Sequence, residues 1–273
     1  NMGARGCRRA DSLEELEYAL SDAISFSRSG RAIVEEYIEG PEFSIDSLVY
    51  DGLVHVCGLA DRHIYYPPCF IEMGHTLPAS LSKTDQDRLI KVFSEGVRAL
   101  GIDNGAAKGD IKLAPSGPVI GEIAARLSGG YMSGWTYPLA SGCNLVKAAL
   151  ELAAGKRPSS LKEPLSLHSA ERAFISIPCR VSGIEGLERA RSTTGVKELF
   201  LRAKEGERLE FPVNNVSKAG NIIATAPSRE EAIGSAEAAA AQILILPSCP
   251  DTQTEAFLEG PLLSDSFPPP GFA

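Results

Sequence analysis

Apolar residues recur at helical spacing in several stretches of the chain and alternate with polar ones in others, and this pattern predicts most of the elements. Residues 11–15, Asp-Ser-Leu-Glu-Glu, open a first helix with Ser12 and Glu15 at capping-box spacing; Ala19, Ile24 and Phe26 carry it towards a stop near Gly30. A strand is expected over residues 32–37. Residues 43–50 and 53–60 alternate on either side of Asp51-Gly52, a strong short hairpin signal, and predict an antiparallel pair. Residues 61–80 contain Tyr65-Tyr-Pro-Pro68 and Glu72-Met-Gly-His-Thr-Leu-Pro78, too rich in Pro, Gly and aromatics for a regular element, and predict a long functional loop. A second helix, capped by Ser82 or Thr84 and closed by Gly101, leads to two strands around Asp110 and Glu122. A third helix is expected over residues 143–154, with Gly155 as its stop.

Beyond Pro158 the texture changes. Strands are expected over residues 168–177, 196–202 and 220–226, followed by an alanine-rich helix over 228–243. The fold class is therefore α+β, with a first domain over residues 1–157, a small α+β domain over 158–250, and a flexible tail over 251–273 that holds Pro268-Pro-Pro270.

With 44% apolar and 23% charged residues in 273, the chain has the composition of a globular protein able to bury a sizeable core. No apolar run approaches the roughly 20 residues of a membrane helix, and no basic-then-apolar leader opens the chain. A cytoplasmic protein with no membrane partner is expected. The net charge of -8 and the scattered Lys and Arg argue against nucleic acid as a partner. Six cysteines show no C-x-x-C spacing and fall mostly in apolar surroundings, so reduced, buried thiols are expected rather than a zinc site or disulfides.

The most informative stretch runs from Gly109 to Arg126. Asp110 and Glu122 alternate with apolar neighbours in two β-like runs, so both can project from one face of a hairpin turned at Pro115-Ser-Gly117. That geometry suits a divalent metal. Arg126, an even step from Glu122, lies on the same side and would point at an anion the metal holds.

Taken in order, Gly3-Ala-Arg-Gly6, Val34-Glu-Glu-Tyr-Ile-Glu-Gly-Pro-Glu-Phe-Ser44, Asp110, Gly121-Glu-Ile-Ala-Ala-Arg126 and Ser128-Gly-Gly130 resemble the ATP-grasp superfamily over residues 1–155. Residues 160–245 resemble the small carboxy-terminal domain of the branch near biotin carboxylase and the L-amino-acid ligases. The resemblance implies an ATP-grasp fold of antiparallel sheets with flanking helices. It implies ATP and Mg²⁺ as cofactors, with Mn²⁺ as an alternative metal.

By the same resemblance Gly3, Arg5 and Gly6 end the glycine-rich loop over the ATP phosphates. Glu35, Glu36, Tyr37 and Ile38 form the strand that reads adenine, and Glu42 accepts the ribose hydroxyls. Asp110 and Glu122 are the metal ligands, and Arg126 stabilises the transferring phosphoryl group. Ser128, Gly129 and Gly130 offer backbone N–H groups to an acyl-phosphate or carboxylate. Glu72 and His75 resemble the substrate-loop pair of dipeptide-forming ligases: Glu72 for a substrate ammonium, His75 for carboxylate binding or proton removal. His168 is expected to be structural; Tyr131 and Trp135 either line a substrate pocket or pack.

Two departures qualify the resemblance. Ala124 stands where the family usually has an asparagine two residues after the second metal glutamate, which removes one oxygen ligand, and Asp110 replaces the usual glutamate. The chain also starts inside the glycine-rich loop, so an amino-terminal part is expected from an upstream segment or a partner chain. The implied activity is an ATP-dependent carboxylate-amine ligase using small carboxylate and amine substrates through an acyl-phosphate, with an amino acid as substrate. The alternatives are a bicarbonate-phosphorylating, carboxylase-like enzyme and a non-catalytic nucleotide-binding module. A homodimer is allowed by analogy with the superfamily.

Overall fold

The structure, a computed structural model, describes residues 2–158, 161 and 167–259. Helix α1 (Leu13–Phe26) starts as predicted: the Ser12 side chain accepts the Glu15 N–H, and the Glu15 carboxylate accepts the Asp11 N–H. The Asp51-Gly52 turn joins β1 (Glu42–Tyr50) to β2 (Leu53–Tyr65), with both turn residues at positive φ as this hairpin demands. Then follow β3 (Ile71–Leu77), α2 (Lys83–Ala99), β4 (Gly105–Ala114) and β5 (Gly117–Ala124). A π-helical turn (Met132–Thr136) runs into α3 (Tyr137–Ser141) and α4 (Leu145–Ala153), the latter capped by Asn144.

After these come β6 (His168–Phe174), β7 (Cys179–Glu185), α5 (Leu187–Ser192), β8 (Val196–Leu201), β9 (Arg208–Leu209), β10 (Gly220–Ala226), α6 (Arg229–Ala240), β11 (Leu244–Pro247) and α7 (Thr252–Glu259). Eight strands form one antiparallel sheet in the order β5-β4-β1-β2-β3-β6-β10-β8, and β11-β7-β9 form a second, small sheet. The large sheet runs through both halves of the chain because β3 pairs with β6.

Alternation decides what each face of this sheet carries. Along β1 the odd residues Phe43, Ile45 and Val49 pack with Leu89, Phe93 and Val97 of α2 and with Ala107 and Ile111 of β4. The even residues Glu42, Ser44 and Asp46 point to the other, inner face. Farther along the sheet α6 covers the same outer side, with Ala232, Ala236 and Ala239 against Ala170, Ile222 and Ala224. The helix owes its start to a complete capping box between Ser228 and Glu231. Ser228→Ala is expected to cost about 1 kcal/mol in a denaturant melt, since it leaves an orphan N–H at the first turn. An unchanged midpoint would show the cap to be idle.

Part of the inner face is roofed by the π-helical turn, α3 and α4, where Leu48, Ala60 and Leu77 meet Met132, Tyr137, Leu145 and Leu152. The rest is polar and open.

Four expectations change. Residues 31–39 join no described strand, and Ile33 and Val34 are exposed; without a neighbour to complete the ladder, alternation alone makes no strand. Residues 61–80 are not one long loop: β2 continues to Tyr65 and β3 occupies Ile71–Leu77, because pairing on both edges outweighs the glycine and flanking prolines. The predicted tail opens with α7, held by Phe257 stacked on Phe211 and by Thr254 donating to the Pro178 carbonyl; Pro268-Pro-Pro270 lies outside the described residues. The cysteines were expected to be buried, and Cys69, Cys143 and Cys179 are; Cys57 is half-buried, and Cys7 and Cys249 are exposed. Among the described residues no helix is long and apolar enough to cross a membrane.

Candidate active site

The polar part of the inner face is centred on the largely buried Arg62 of β2. Its guanidinium lies 3.1 Å from the carboxylates of both Glu72 and Asp110 and in direct contact with Glu42. Three strands other than its own thus deliver one carboxylate each to a single planar donor. Burial by itself would lower the Arg62 pKa, but the facing Glu72, Asp110 and Glu42 outweigh it and raise it. Burial likewise pushes the Glu72 carboxyl up, while Arg62, Lys218 and His75 pull it down further, to about 2.

Asp110 sits directly opposite Glu122 in the β4–β5 register. Its Oδ1 accepts from the Ser44 hydroxyl at 2.9 Å, while the Lys108 ammonium, two residues back on the same strand, touches Oδ2, the oxygen that also faces Arg62. Arg126 lies just beyond β5 with one guanidinium nitrogen 3.5 Å from Glu122 and another donating to the Leu127 carbonyl at 3.1 Å. The hairpin forms as expected, but the shared face is made by a bulge at Gly121: Ile111 pairs with Ile120 and Asp110 with Glu122, so the alternation shifts by one residue between them.

The loop after Arg126 is fastened from below by Asp46. This fully buried carboxylate accepts the Ser128 N–H at 2.8 Å and the Ser133 hydroxyl. Burial raises its pKa against the pull of those two serines and Lys108. Gly130, at φ +58, lies so close to Glu72 that a Cβ there would stand 3.8 Å from the carboxylate.

Glu72 and His75 share the inner face although they are an odd three positions apart, because a bulge at Met73 inserts an extra residue between them: Glu72 is opposite Ile64, Gly74 opposite His63 and His75 opposite Arg62. The His75 ring is not a solvated loop imidazole. It is 1% exposed, its Nε2 hydrogen-bonds the Thr136 hydroxyl at 2.7 Å, and its Nδ1 faces Glu171 at 3.4 Å. Glu171 in turn accepts from the Asn221 amide.

The other predicted residues gather elsewhere. Arg5, Gly6, Glu35, Glu36 and Tyr37 line a cavity of about 1080 Å³ beside α1. The cations of Arg9 and Lys112 each lie 4.5 Å from the centre of the Tyr37 ring, which also stacks on Phe70. Lys112 also donates to the Ile38 carbonyl at 2.8 Å, which ties this segment to the inner face. The Gly3 carbonyl accepts the Asn215 N–H at 2.8 Å, and Asn215 Oδ1 accepts the Glu72 N–H at 2.7 Å. Gly129 follows Ser128 on the loop that Asp46 holds. Tyr131 and Trp135 pack on Phe200.

Four residues of this face carry no sequence expectation: Arg62, Lys108, Asp46 and Lys218, whose ammonium donates to the Glu72 carbonyl at 2.7 Å. Even spacing from Asp110 and Glu42 marks Lys108 and Asp46; Arg62 and Lys218 carry no such signal.

Residues 10–134 match the family model of the ATP-grasp domain, and residues 173–245 match that of L-amino acid ligase C-terminal domain 2. The chain carries an ATP-grasp domain. An uncharacterized protein, y4rH, of Sinorhizobium fredii is 27% identical over 85% of this chain and 48% of its own length. Carnosine synthase 1 of Gallus gallus is 28% identical over 72% of this chain and 22% of its own. The chain thus spans about half the length of the first relative and about a fifth of the second. Its fold matches the crystal structure of L-amino acid ligase from Bacillus licheniformis with a TM-score of 0.78 at 24% identity, over 88% of this chain and 62% of that one.

ATP-grasp proteins use ATP with Mg²⁺. The donors here fit one such ion: Asp110 and Glu122 are hard oxygen ligands facing one another across paired strands, and Mg²⁺ is commonly held by one or two carboxylates plus substrate phosphates. Among the described residues no group of three or more His, Cys, Asp or Glu is placed to hold a metal by itself.

Proposed function

We propose that this chain is the catalytic core of an ATP- and Mg²⁺-dependent carboxylate-amine ligase, with an amino acid among its substrates. The observation that carries the reading is the pairing of Asp110 with Glu122, backed by Arg126 and by the Arg62 cluster on one open sheet face. The family match over residues 173–245 supports the ligase branch. We keep the domain division at residues 157 and 158, which the ends of the two matched regions at 134 and 173 support.

In this reading the substrate carboxylate attacks the γ-phosphorus and ADP leaves, giving an acyl-phosphate. The amine then attacks the acyl carbon and phosphate departs, leaving the amide. Bound Mg²⁺ neutralises charge on the transferring phosphoryl group. Asp110 and Glu122 hold that ion, and Arg126 turns its fork of donors to the equatorial oxygens. The backbone of Ser128, Gly129 and Gly130, kept in place by Asp46, lies where it can receive the acyl-phosphate. Glu72, ionised throughout the neutral range, receives the substrate ammonium. His75, behind it, holds β3 against Thr136 and Glu171, so that its contribution is to position Glu72. Glu42 takes the ribose hydroxyls, while Glu35, Glu36, Tyr37 and Ile38 face the adenine and Gly3, Arg5 and Gly6 the phosphates.

Titrating Mg-ATP into the chain by calorimetry tests the central assignment. Metal-dependent binding is expected, at least tenfold weaker in Glu122→Gln, which corresponds to about 1.4 kcal/mol. Equal affinity in the variant would sink the metal assignment. Phosphate release can then be screened: stimulation by pairs of amino acids is the expected result, and stimulation by bicarbonate alone would favour carboxylase-like chemistry instead.

A further inference from the structure

We propose that the Lys108 ammonium stands in for one divalent cation, so that this site operates with a single metal ion. The proposal deepens the nucleotide-site reading above and rests on it. Lys108 is only 7% exposed, although a buried lysine needs a partner to offset the loss of water. Its partners are the two candidate metal ligands: the ammonium touches Asp110 and lies 3.8 Å from Glu122. The positive charge therefore occupies the ground between the two carboxylates.

The residue opposite Lys108 in the β4–β5 register is Ala124. This is the position where the family resemblance calls for an asparagine oxygen, and alanine offers none. Where a third oxygen ligand is missing, a fixed cation is present on the facing strand. Two like charges a few ångströms apart repel, so an ammonium here opposes a second Mg²⁺ and supplies part of the charge that ion would bring.

The state of Asp110 points the same way. It already accepts from Ser44 and Lys108 and pairs with Arg62 at 3.1 Å, and a carboxylate has about four lone-pair sites. Roughly one is left for a metal ion. Glu122, which is about half exposed, keeps room for the same ion.

The test counts Mn²⁺ bound to this 273-residue chain by electron paramagnetic resonance, with a saturating non-hydrolysable ATP analogue. One Mn²⁺ per bound nucleotide is expected in the wild type and in Lys108→Arg, which keeps the charge. In Lys108→Met combined with Ala124→Asn a second Mn²⁺ is expected, binding at least tenfold more tightly than any second ion in the wild type. Two tightly bound ions in the wild type would overturn the proposal while leaving the nucleotide site standing. So would a double variant that still holds one. The wild-type count needs no substitution, so failure of a variant to fold does not shield the proposal. Absence of metal-dependent nucleotide binding in the wild type would instead remove the nucleotide-site reading, and this inference with it.

Discussion

Arg62→Met is expected to destabilise the protein by about 3 kcal/mol at pH 7, the lower end of the cost of breaking a buried ion pair by removing one partner. Methionine keeps the apolar stem and removes the charged guanidinium, so the larger part of the loss is electrostatic. Glu42, Glu72 and Asp110 would be left facing one another across neighbouring strands with the central cation gone. Asp110 keeps Lys108 and Ser44, and Glu72 keeps the charge of Lys218, which is why the cost stays near the lower end.

The pH dependence separates this from a packing effect. In the wild type the Glu72 carboxyl is held at about 2, below the usual carboxylate value near 4.3 in an unfolded chain. A carboxylate depressed on folding contributes stability above its unfolded pKa, and that contribution is lost as pH falls through the folded one. The gap between wild type and Arg62→Met should therefore be widest above about pH 5 and should narrow as pH falls towards about 2. Urea melts across that range check it. A gap that stays constant would show that Arg62 acts by shape alone. On the functional reading, the same variant loses tight Mg-ATP binding, because Glu42 and Asp110 are both released from their set positions.

How much of this was legible in the sequence follows from the kind of order each residue depends on. The Asp110–Glu122 hairpin was readable because its two runs and its turn are local, but the shared face was not: by plain alternation Asp110 would face Gly121, and a bulge there brings Glu122 opposite Asp110. Helices α1 and α2 announced themselves through side-chain caps at Ser12 and Ser82, α4 through its stop at Gly155, and α6 through its alanine-rich run. Strand β3 did not, because its Gly74 and flanking prolines read as loop, and what makes it a strand is a partner almost a hundred residues away in β6. Arg62 was hidden for the same reason: in a supposed loop it is one more charged residue, and only the register with β1 and β3 brings three carboxylates to it. His75 was seen, but as a substrate-loop group for carboxylate binding or proton removal; its burial depends on Thr136 and Glu171, both remote in the chain.

Gly74→Ala should have the other large effect, since Gly74 is where the bulged strand meets β6. Its φ of +155 is a conformation that a side chain rarely adopts, and a Cβ there would lie 2.1 Å from the Glu171 carbonyl oxygen. The obstructing atom is backbone, locked in a ladder on both sides, so relief requires parting β3 from β6. Strain of about 1–3 kcal/mol and overpacking of a similar size together predict a loss of roughly 2–6 kcal/mol. Gly52→Ala provides the control: its φ is +69 but no atom lies within 4 Å of the added carbon, so only the conformational cost of about 1–2 kcal/mol applies. Thermal and denaturant melts of the two variants measure the difference. If Gly74→Ala costs no more than Gly52→Ala, the β3–β6 junction can yield without penalty. In that case the bulge that puts Glu72 and His75 on one face is not held by the sheet. A larger loss would tie the placement of Glu72 to the same junction that makes the two halves of the chain share one sheet.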